Sequence, residues 1–211
     1  NILNIGGIAN VTTTAAWEDL WHKNKIYAYD IGPGNCLIDE WIRKNSKLNY
    51  DKEGLIASYG KTDKLILNQA LENFNFNLNL NYDKSLDIKD FDIFFAKGLS
   101  LENGAATITD FTAKLIADGM NYCHEMSETQ IFKWLVCGGG RKNRYLLKAI
   151  EKNFEKITID PIEKYEINGD FIESQAFAFL AIRSLEKMPI SFPTTTRCRE
   201  PITGGVIVEN F

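Results

Sequence analysis

Residues 2–14 read Ile2-Leu3-Asn4-Ile5-Gly6-Gly7-Ile8-Ala9-Asn10-Val11-Thr12-Thr13-Thr14, two β-branched, apolar runs on either side of a glycine pair. Such runs predict two strands joined by a tight turn, because paired glycines supply the backbone freedom that turn needs. A third strand is expected at Ile26-Tyr27-Ala28-Tyr29, ending in the loop Asp30-Ile31-Gly32-Pro33-Gly34-Asn35. Leu37, Ile38, Trp41 and Ile42 then recur at helical spacing. Further along, Ile108, Phe111, Leu115, Ile116 and Gly119 share one stripe of a helix from Thr107 to Tyr122. Phe132 to Cys137 reads as a buried strand, Gly138-Gly139-Gly140 as a turn, Leu146 to Phe154 as a helix and Ile157-Thr158-Ile159 as another strand. A last helix is expected from Asp170 to Leu185, and the order β-β-β-α…α-β-α-β-α predicts an α/β domain whose mixed sheet is flanked by helices. Between its halves, Asn73 to Tyr82 alternates Asn with Phe74, Phe76, Leu78, Leu80 and Tyr82, which fits an edge strand or an Asn-rich connection.

Composition removes several classes of function. The 211 residues are 45% hydrophobic and 25% charged, as in an ordinary globular chain of one to two domains, and carry a net charge of −4. No basic field awaits a phosphate backbone, so nucleic acid is excluded as a partner. The longest apolar runs, such as Ala176 to Ile182, fall far short of the roughly 20 residues that cross a bilayer, so no membrane is expected. Cys36, Cys123, Cys137 and Cys198 have no C-x-x-C spacing, and only His22 and His124 could join them. That pattern argues against structural zinc or a disulfide framework and for reduced thiols in a cytoplasmic protein. Because residue 1 is Asn and the chain opens inside a strand, the expectation is a longer protein, cut or interrupted.

Three glycine loops follow short apolar strands, and such loops turn backbone N–H groups toward phosphate oxygens. Taken singly, Gly6-Gly7 also fits a plain hairpin, and Gly138-Gly139-Gly140 a plain tight turn. Asp30 at a strand end could hold a metal-bound water or a sugar hydroxyl, or could cap an Asx-turn. Glu173 shares a helix face with Phe177 and Leu180, which turns its carboxylate inward; the alternative is a D-x-x-E capping box with Asp170. His124 beside Cys123, and His22 among Trp17 and Trp21, read as surface or packing residues. Arg141, Lys142 and Arg144 could reach phosphates or simply open a solvated helix.

In combination these segments resemble one family, the anhydro-N-acetylmuramic acid kinases, bacterial sugar kinases of the actin, hexokinase and heat-shock-ATPase superfamily. The matching pieces are Asn4 to Thr12, Asp30 to Asn35 with Leu37-Ile38-Asp39-Glu40-Trp41-Ile42, Tyr50 to Gly54 with Gly60-Lys61, and Ala106-Thr107-Ile108-Thr109 with Phe111-Thr112-Ala113. Val136 to Gly140 with Asn143, Gly169-Asp170, Glu173, Ala176 to Ala178, Leu180-Ala181 and Pro193-Thr194 complete them. The resemblance implies two ribonuclease-H-like (actin-like ATPase) domains with ATP and Mg²⁺ in the cleft, residues 1–211 forming the C-terminal one and the N-terminal domain being absent. It assigns Gly6, Gly7, Asn10, Gly138, Gly139, Gly140 and Asn143 to the nucleotide, and Asp30, Gly32, Gly34, Asn35 and Glu173 to the anhydrosugar. A homodimer is left open.

The implied reaction opens the 1,6-anhydro ring with water at C1 and phosphorylates O6, a step of cell-wall recycling. The resemblance places the S-G-T-S-x-D-G-x-D phosphate motif and the aspartate that activates water in the first domain. No catalytic residue or metal ligand is therefore assigned here, and the chain alone is expected to be inactive. Departures add a second expectation, a non-catalytic remnant or nucleotide-binding module that keeps the fold. Ile31 stands where the pattern has Thr, Lys84 to Lys89 stand for K-S-T-G-R-E, Asn103 to Thr107 stand for D-V-Q-A-T, and Arg197 replaces a glycine.

Overall fold

In the computed structural model, which describes residues 1–14, 26–78, 85–126, 133–154 and 157–208, the glycine pair joins β1 (Ile2–Ile5) to β2 (Ile8–Thr14). β2 pairs antiparallel with both β1 and β3 (Ile26–Pro33), while β4 (Lys133–Cys137) lies parallel to β1, and β5 (Thr158–Pro161) parallel to β4. The five strands run in the order β3-β2-β1-β4-β5, so only β2 is reversed and the carboxyl ends of β1, β3, β4 and β5 share one edge. The mixed α/β sheet is the one expected.

Strand alternation sorts the sheet's two faces. Leu3, Ile5, Ala9, Val11, Ile31, Trp134 and Val136 are buried in one hydrophobic cluster. α1 (Cys36–Asn45), α4 (Leu101–Met126) and α5 (Arg144–Glu151) bring Leu37, Ile38, Ile42, Ile108, Leu115, Ile116, Leu146 and Ile150 into the same cluster. α4 contains the whole expected stripe and crosses β3 closely, since a methyl group on Gly119 would lie 2.3 Å from Ile31 Cβ. α1 locks onto α4 through Trp41, whose Nε1 donates to Leu101 O at 2.9 Å and whose ring occupies the space a side chain at Gly104 would need. The departures at Gly104 and Ala105 thus serve core packing. α2 (Leu55–Tyr59) is capped by Asp51, which accepts from the amides of Ile56 and Ala57.

Four expectations are corrected. β3 continues through Asp30, Ile31, Gly32 and Pro33; a bulge beside Ala9/Asn10 accommodates the turn-forming residues within the ladder. Asn73 to Leu78 belongs to α3 (Lys64–Leu78) and is neither strand nor connection, because Phe74 stacks on Phe91 and meets Phe111 edge-on. α5 begins at Arg144 and ends at Glu151, three residues short of Phe154. α6 (Ile172–Leu185) carries no side-chain N-cap, so the Asp170/Glu173 capping box is absent. α7 (Pro193–Thr196) ends at Arg197 with φ +58°, the left-handed conformation that favours the glycine Arg197 replaces.

All four cysteines are free thiols. Among the described residues no helix is long and apolar enough to cross a membrane. Trp17, Trp21, His22 and Asn79 to Tyr82 lie outside the described residues, as does the side chain of His124.

Candidate functional site

The shared strand edge gathers the glycine loops. Parallel pairing of β1 with β4, and the common direction of β3, bring Gly6-Gly7, Gly34-Asn35 and Gly138-Gly139-Gly140 to the carboxyl ends where open α/β sheets take ligands. Backbone hydrogen bonds knit the first two loops: Gly34 N donates to Gly7 O at 2.9 Å, Asn35 N to Gly6 O at 2.8 Å and Cys36 N to Gly7 O at 3.2 Å. Gly34 admits no side chain, since a methyl group there would stand 2.2 Å from Gly6 O.

The glycine triplet divides into two kinds of position. Gly138 has φ +76° and ψ 174°, and a methyl group on it would lie 2.5 Å from Ile5 O. On Gly140 the same group would lie 2.2 Å from Ile5 Cγ2. Gly139 is open: among the described residues its methyl group would meet only the carboxamide of Asn35, at 3.6 Å. Asn35 begins α1 without capping it through its side chain, which leaves that carboxamide beside the triplet. Gly139 and Gly140 open a 3₁₀ turn (Gly139–Lys142), where first-turn amides have no partner within the helix.

A polar row crosses the face opposite the core. Register places Asp30 beside Asn10, Asn10 beside Asn4 and Asn4 beside Cys137, with Asp30, Asn10 and Asn4 half-buried. Asp30 uses Oδ2 to accept from Leu86 N at 2.9 Å and Ser85 Oγ at 3.1 Å, which draws residues 85–90 over the hairpin. Ile88, standing where the family pattern has Arg, is the nearest group to the Gly7 position at 3.9 Å. Asn4, in contact with Cys137 Sγ at 3.6 Å, is a member of this row that sequence reasoning left out of the site. Its signal was a polar residue at an outward position of an apolar strand.

The remaining candidates are placed as follows. Gly32 packs beside Leu115 of α4, and Ile31 is buried in the core, so the Thr-to-Ile departure removes nothing from the open face. Asn143 is buried and its Oδ1 accepts from Leu146 N at 3.0 Å as the cap of α5. Glu173 is exposed, as is Phe177, which corrects the inward orientation expected for its carboxylate. Its charge nevertheless reaches Cys137: burial raises the thiol pKa, Arg141 lowers it, and Glu163 and Glu173 add to the rise.

Charge at this edge is internally paired. The Arg141 guanidinium, 5% exposed, donates to Gly138 O at 2.9 Å, Glu163 Oε1 at 2.6 Å and Asp170 Oδ1 at 2.8 Å. Lys142 also binds Asp170, and hydrogen bonds from Lys142 and then Arg141 hold that carboxyl below its usual range. Asp170 was therefore unavailable as a helix cap. Burial pushes the Cys36 thiol up to about 11, which keeps it protonated and unreactive. No group of three or more His, Cys, Asp or Glu among the described residues could hold a metal. Open glycine amides fit phosphate oxygens, and Mg²⁺ fits as an ion carried by those phosphates with its own waters.

Comparison with known proteins gives this edge its context. The model of the anhydro-N-acetylmuramic acid kinase family matches residues 1–210. The chain belongs to the anhydro-N-acetylmuramic acid kinase family. It is 46% identical over 212 residues to the anhydro-N-acetylmuramic acid kinase of Pelagibacter ubique, covering 100% of this chain and 55% of that protein. To the Zymomonas mobilis anhydro-N-acetylmuramic acid kinase it is 41% identical over 206 residues, covering 98% of this chain and 53% of the relative. The chain thus spans about half the length of the anhydro-N-acetylmuramic acid kinases it matches, and its α/β sheet is consistent with their actin-like ATPase fold.

Proposed function

We propose that this chain is the C-terminal half of an ATP-dependent anhydro-N-acetylmuramic acid kinase and supplies the backbone cradle for the nucleotide and part of the sugar site. The convergence of three glycine loops at one strand edge, above the Asp30–Asn10–Asn4 row, carries this reading. ATP with Mg²⁺ supplies the phosphoryl group. Amides of Gly7, Gly139 and Gly140 hold phosphate oxygens without a counter-charge, and Gly139 is the point of closest approach because its side is empty. The Asn35 carboxamide, beside the triplet, orients the same ligand. Asp30, fixed through Oδ2, has Oδ1 to accept a hydrogen bond from a sugar hydroxyl.

In the balanced reaction water adds to C1, the C1–O6 bond breaks, O6 takes the phosphoryl group and ADP leaves; the water proton goes to a carboxylate base. In-line alignment needs phosphate donors on both sides of the cleft, so the chain by itself is inactive. Two measurements test this. Calorimetry should show saturable binding of Mg²⁺-ADP to the chain, and absence of binding up to about millimolar ligand, where binding energy is near 4 kcal/mol, refutes the cradle. ATP-dependent formation of the 6-phosphate by the purified chain alone refutes the division of labour.

One observation favours the second reading, a non-catalytic remnant. Ile88 puts an apolar side chain over the hairpin turn where the family pattern has a guanidinium. If that loss disabled the site, Ile88→Arg strengthens ADP binding severalfold; in a working site that evolved without the cation, affinity is unchanged.

A further inference from the structure

As a sequence feature Arg141 is a cation that could reach phosphates, yet its side chain is turned into the protein. The enclosed guanidinium engages all three of its nitrogens: Nε with Glu163, Nη2 with Asp170, and Nη1 with Gly138 O at 2.9 Å. Arg141 N adds a longer bond to the same oxygen, at 3.3 Å. The neighbouring chain is shaped around this fork. A methyl group on Gly169 would lie 2.4 Å from Nε and 2.7 Å from Cζ, so glycine there leaves the room that the guanidinium fills. The carboxylates of Glu163 and Asp170 offset the cations of Arg141 and Lys142, and the cluster presents no net charge to a ligand. Arg141 can therefore act on a ligand only through the group it holds.

That group is the peptide between Gly138 and Gly139. In a trans peptide the C=O and N–H point in opposite directions, so the bond that fixes Gly138 O also fixes Gly139 N–H, on the side away from the guanidinium. Gly138 sits at φ +76° and ψ 174°, a region open to glycine alone. With no Cβ on either flank this peptide turns over at little cost, and the reversed plane would present a carbonyl oxygen where a phosphate oxygen approaches. We propose that Arg141 is a positioning residue: its guanidinium, anchored by Glu163 and Asp170, holds the Gly138–Gly139 peptide with the N–H toward the ligand and the carbonyl away from it. A charged donor on the carbonyl also polarises the peptide, which strengthens the hydrogen bond that its N–H gives. This role rests on the assignment of the triplet to nucleotide phosphates.

The test uses the whole chain labelled with ¹⁵N-glycine, which reports on 15 glycines at once. Amide relaxation without ligand and calorimetric titration with Mg²⁺-ADP are compared for the parent, Arg141→Lys and Lys142→Met, well below their melting temperatures. Lysine keeps a charge beside the carboxylates but has no fork to span them and Gly138 O together. In Arg141→Lys the order parameter of Gly139 should fall from about 0.85 toward about 0.6, or exchange on the microsecond-to-millisecond scale should broaden it, while Gly6 and Gly34 stay as in the parent. ADP affinity should drop about 10- to 100-fold, the worth of a charge-assisted hydrogen bond. Lys142→Met loses a contact with Asp170 alone, and both readouts should stay within about twofold of the parent. Should Arg141→Lys fail to fold, Asp170→Ala, at an exposed position, frees one arm of the guanidinium and must loosen Gly139 in its place. A Gly139 as rigid as the parent's overturns the proposal, as does parental ADP affinity in Arg141→Lys or an equal loss in Lys142→Met. If the parent itself binds no ADP, the assignment of the triplet to the nucleotide falls, and the relaxation of Gly139 still decides whether Arg141 holds the peptide.

Discussion

Substituting the three glycines of the triplet one at a time should separate ligand approach from folding. Alanine at Gly140 must displace Ile5, a fully buried residue whose Cγ2 would be 2.2 Å away, and overpacking of that kind costs about 1–3 kcal/mol. Alanine at Gly138 adopts a φ/ψ region reserved for glycine, at about 1–3 kcal/mol, and in addition meets a backbone oxygen at 2.5 Å. Gly139→Ala makes an ordinary contact at 3.6 Å, so its effect stays within about 0.5 kcal/mol. For a chain of this length each kcal/mol moves the melting temperature by about 2–4 °C. Differential scanning calorimetry should therefore find Gly138→Ala and Gly140→Ala lower by about 2–12 °C and Gly139→Ala within about 2 °C of the parent.

Binding should reverse the ranking. Gly139→Val places two methyl groups beside Asn35, where phosphate oxygens would approach, and the loss of one charge-assisted hydrogen bond is worth about 1.5–3 kcal/mol. Titration calorimetry with Mg²⁺-ADP should show an affinity about 10- to 100-fold weaker. Gly139→Ala melting as low as Gly140→Ala, or Gly139→Val binding ADP like the parent, refutes the assignment of Gly139 to the ligand.

Three further outcomes follow from single side chains. Burial, partly offset by Arg43, raises the Asp39 pKa from 3.8 to about 6, so its contribution to stability is present below about pH 4 and lost as pH rises through 6. The melting temperature of Asp39→Asn should thus gain on the parent between pH 4 and pH 7; a constant difference contradicts the burial argument. Thr112 Oγ1 is buried with no hydrogen-bond partner among the described residues, and Thr112→Val should raise the melting temperature by about 2 °C or more, whereas a lower value means that the hydroxyl is satisfied by water. Glu173→Gln should leave the melting temperature of the chain unchanged because the carboxylate is exposed and caps nothing, but should alter turnover or the sugar KM in the enzyme joined to its other half. Unchanged kinetics remove Glu173 from the site.

Alternation and helical spacing are local, and where local pattern decided the structure it could be read directly: the hairpin of β1 and β2, the stripe of α4 and the order of the α/β elements. Misreadings fall where a distant partner overrode the local signal. The alternating Asn segment is helical because Phe74 packs against Phe91 and Phe111, and Asp170 leaves its helix uncapped because Arg141 and Lys142 claim it. Glu173 was given an inward face on the premise that this chain covers α6, which it does not.

The glycine triplet shows the same limit at the site itself. Three identical residues in a row carry no sequence mark that tells one from another. Gly138 and Gly140 are constrained by Ile5, more than 130 positions earlier, and only because β1 lies parallel to β4; Gly139 escapes because its side faces Asn35 at the start of α1. The same pairing sets Asn4 beside Cys137 and so extends the polar row from Asp30 to the triplet. A ligand site at the carboxyl ends of parallel strands is assembled from segments that local reading keeps apart. The residue types that could serve it are visible in the sequence, whereas their division into those that shape the backbone and those that face the ligand exists only once the strands have paired.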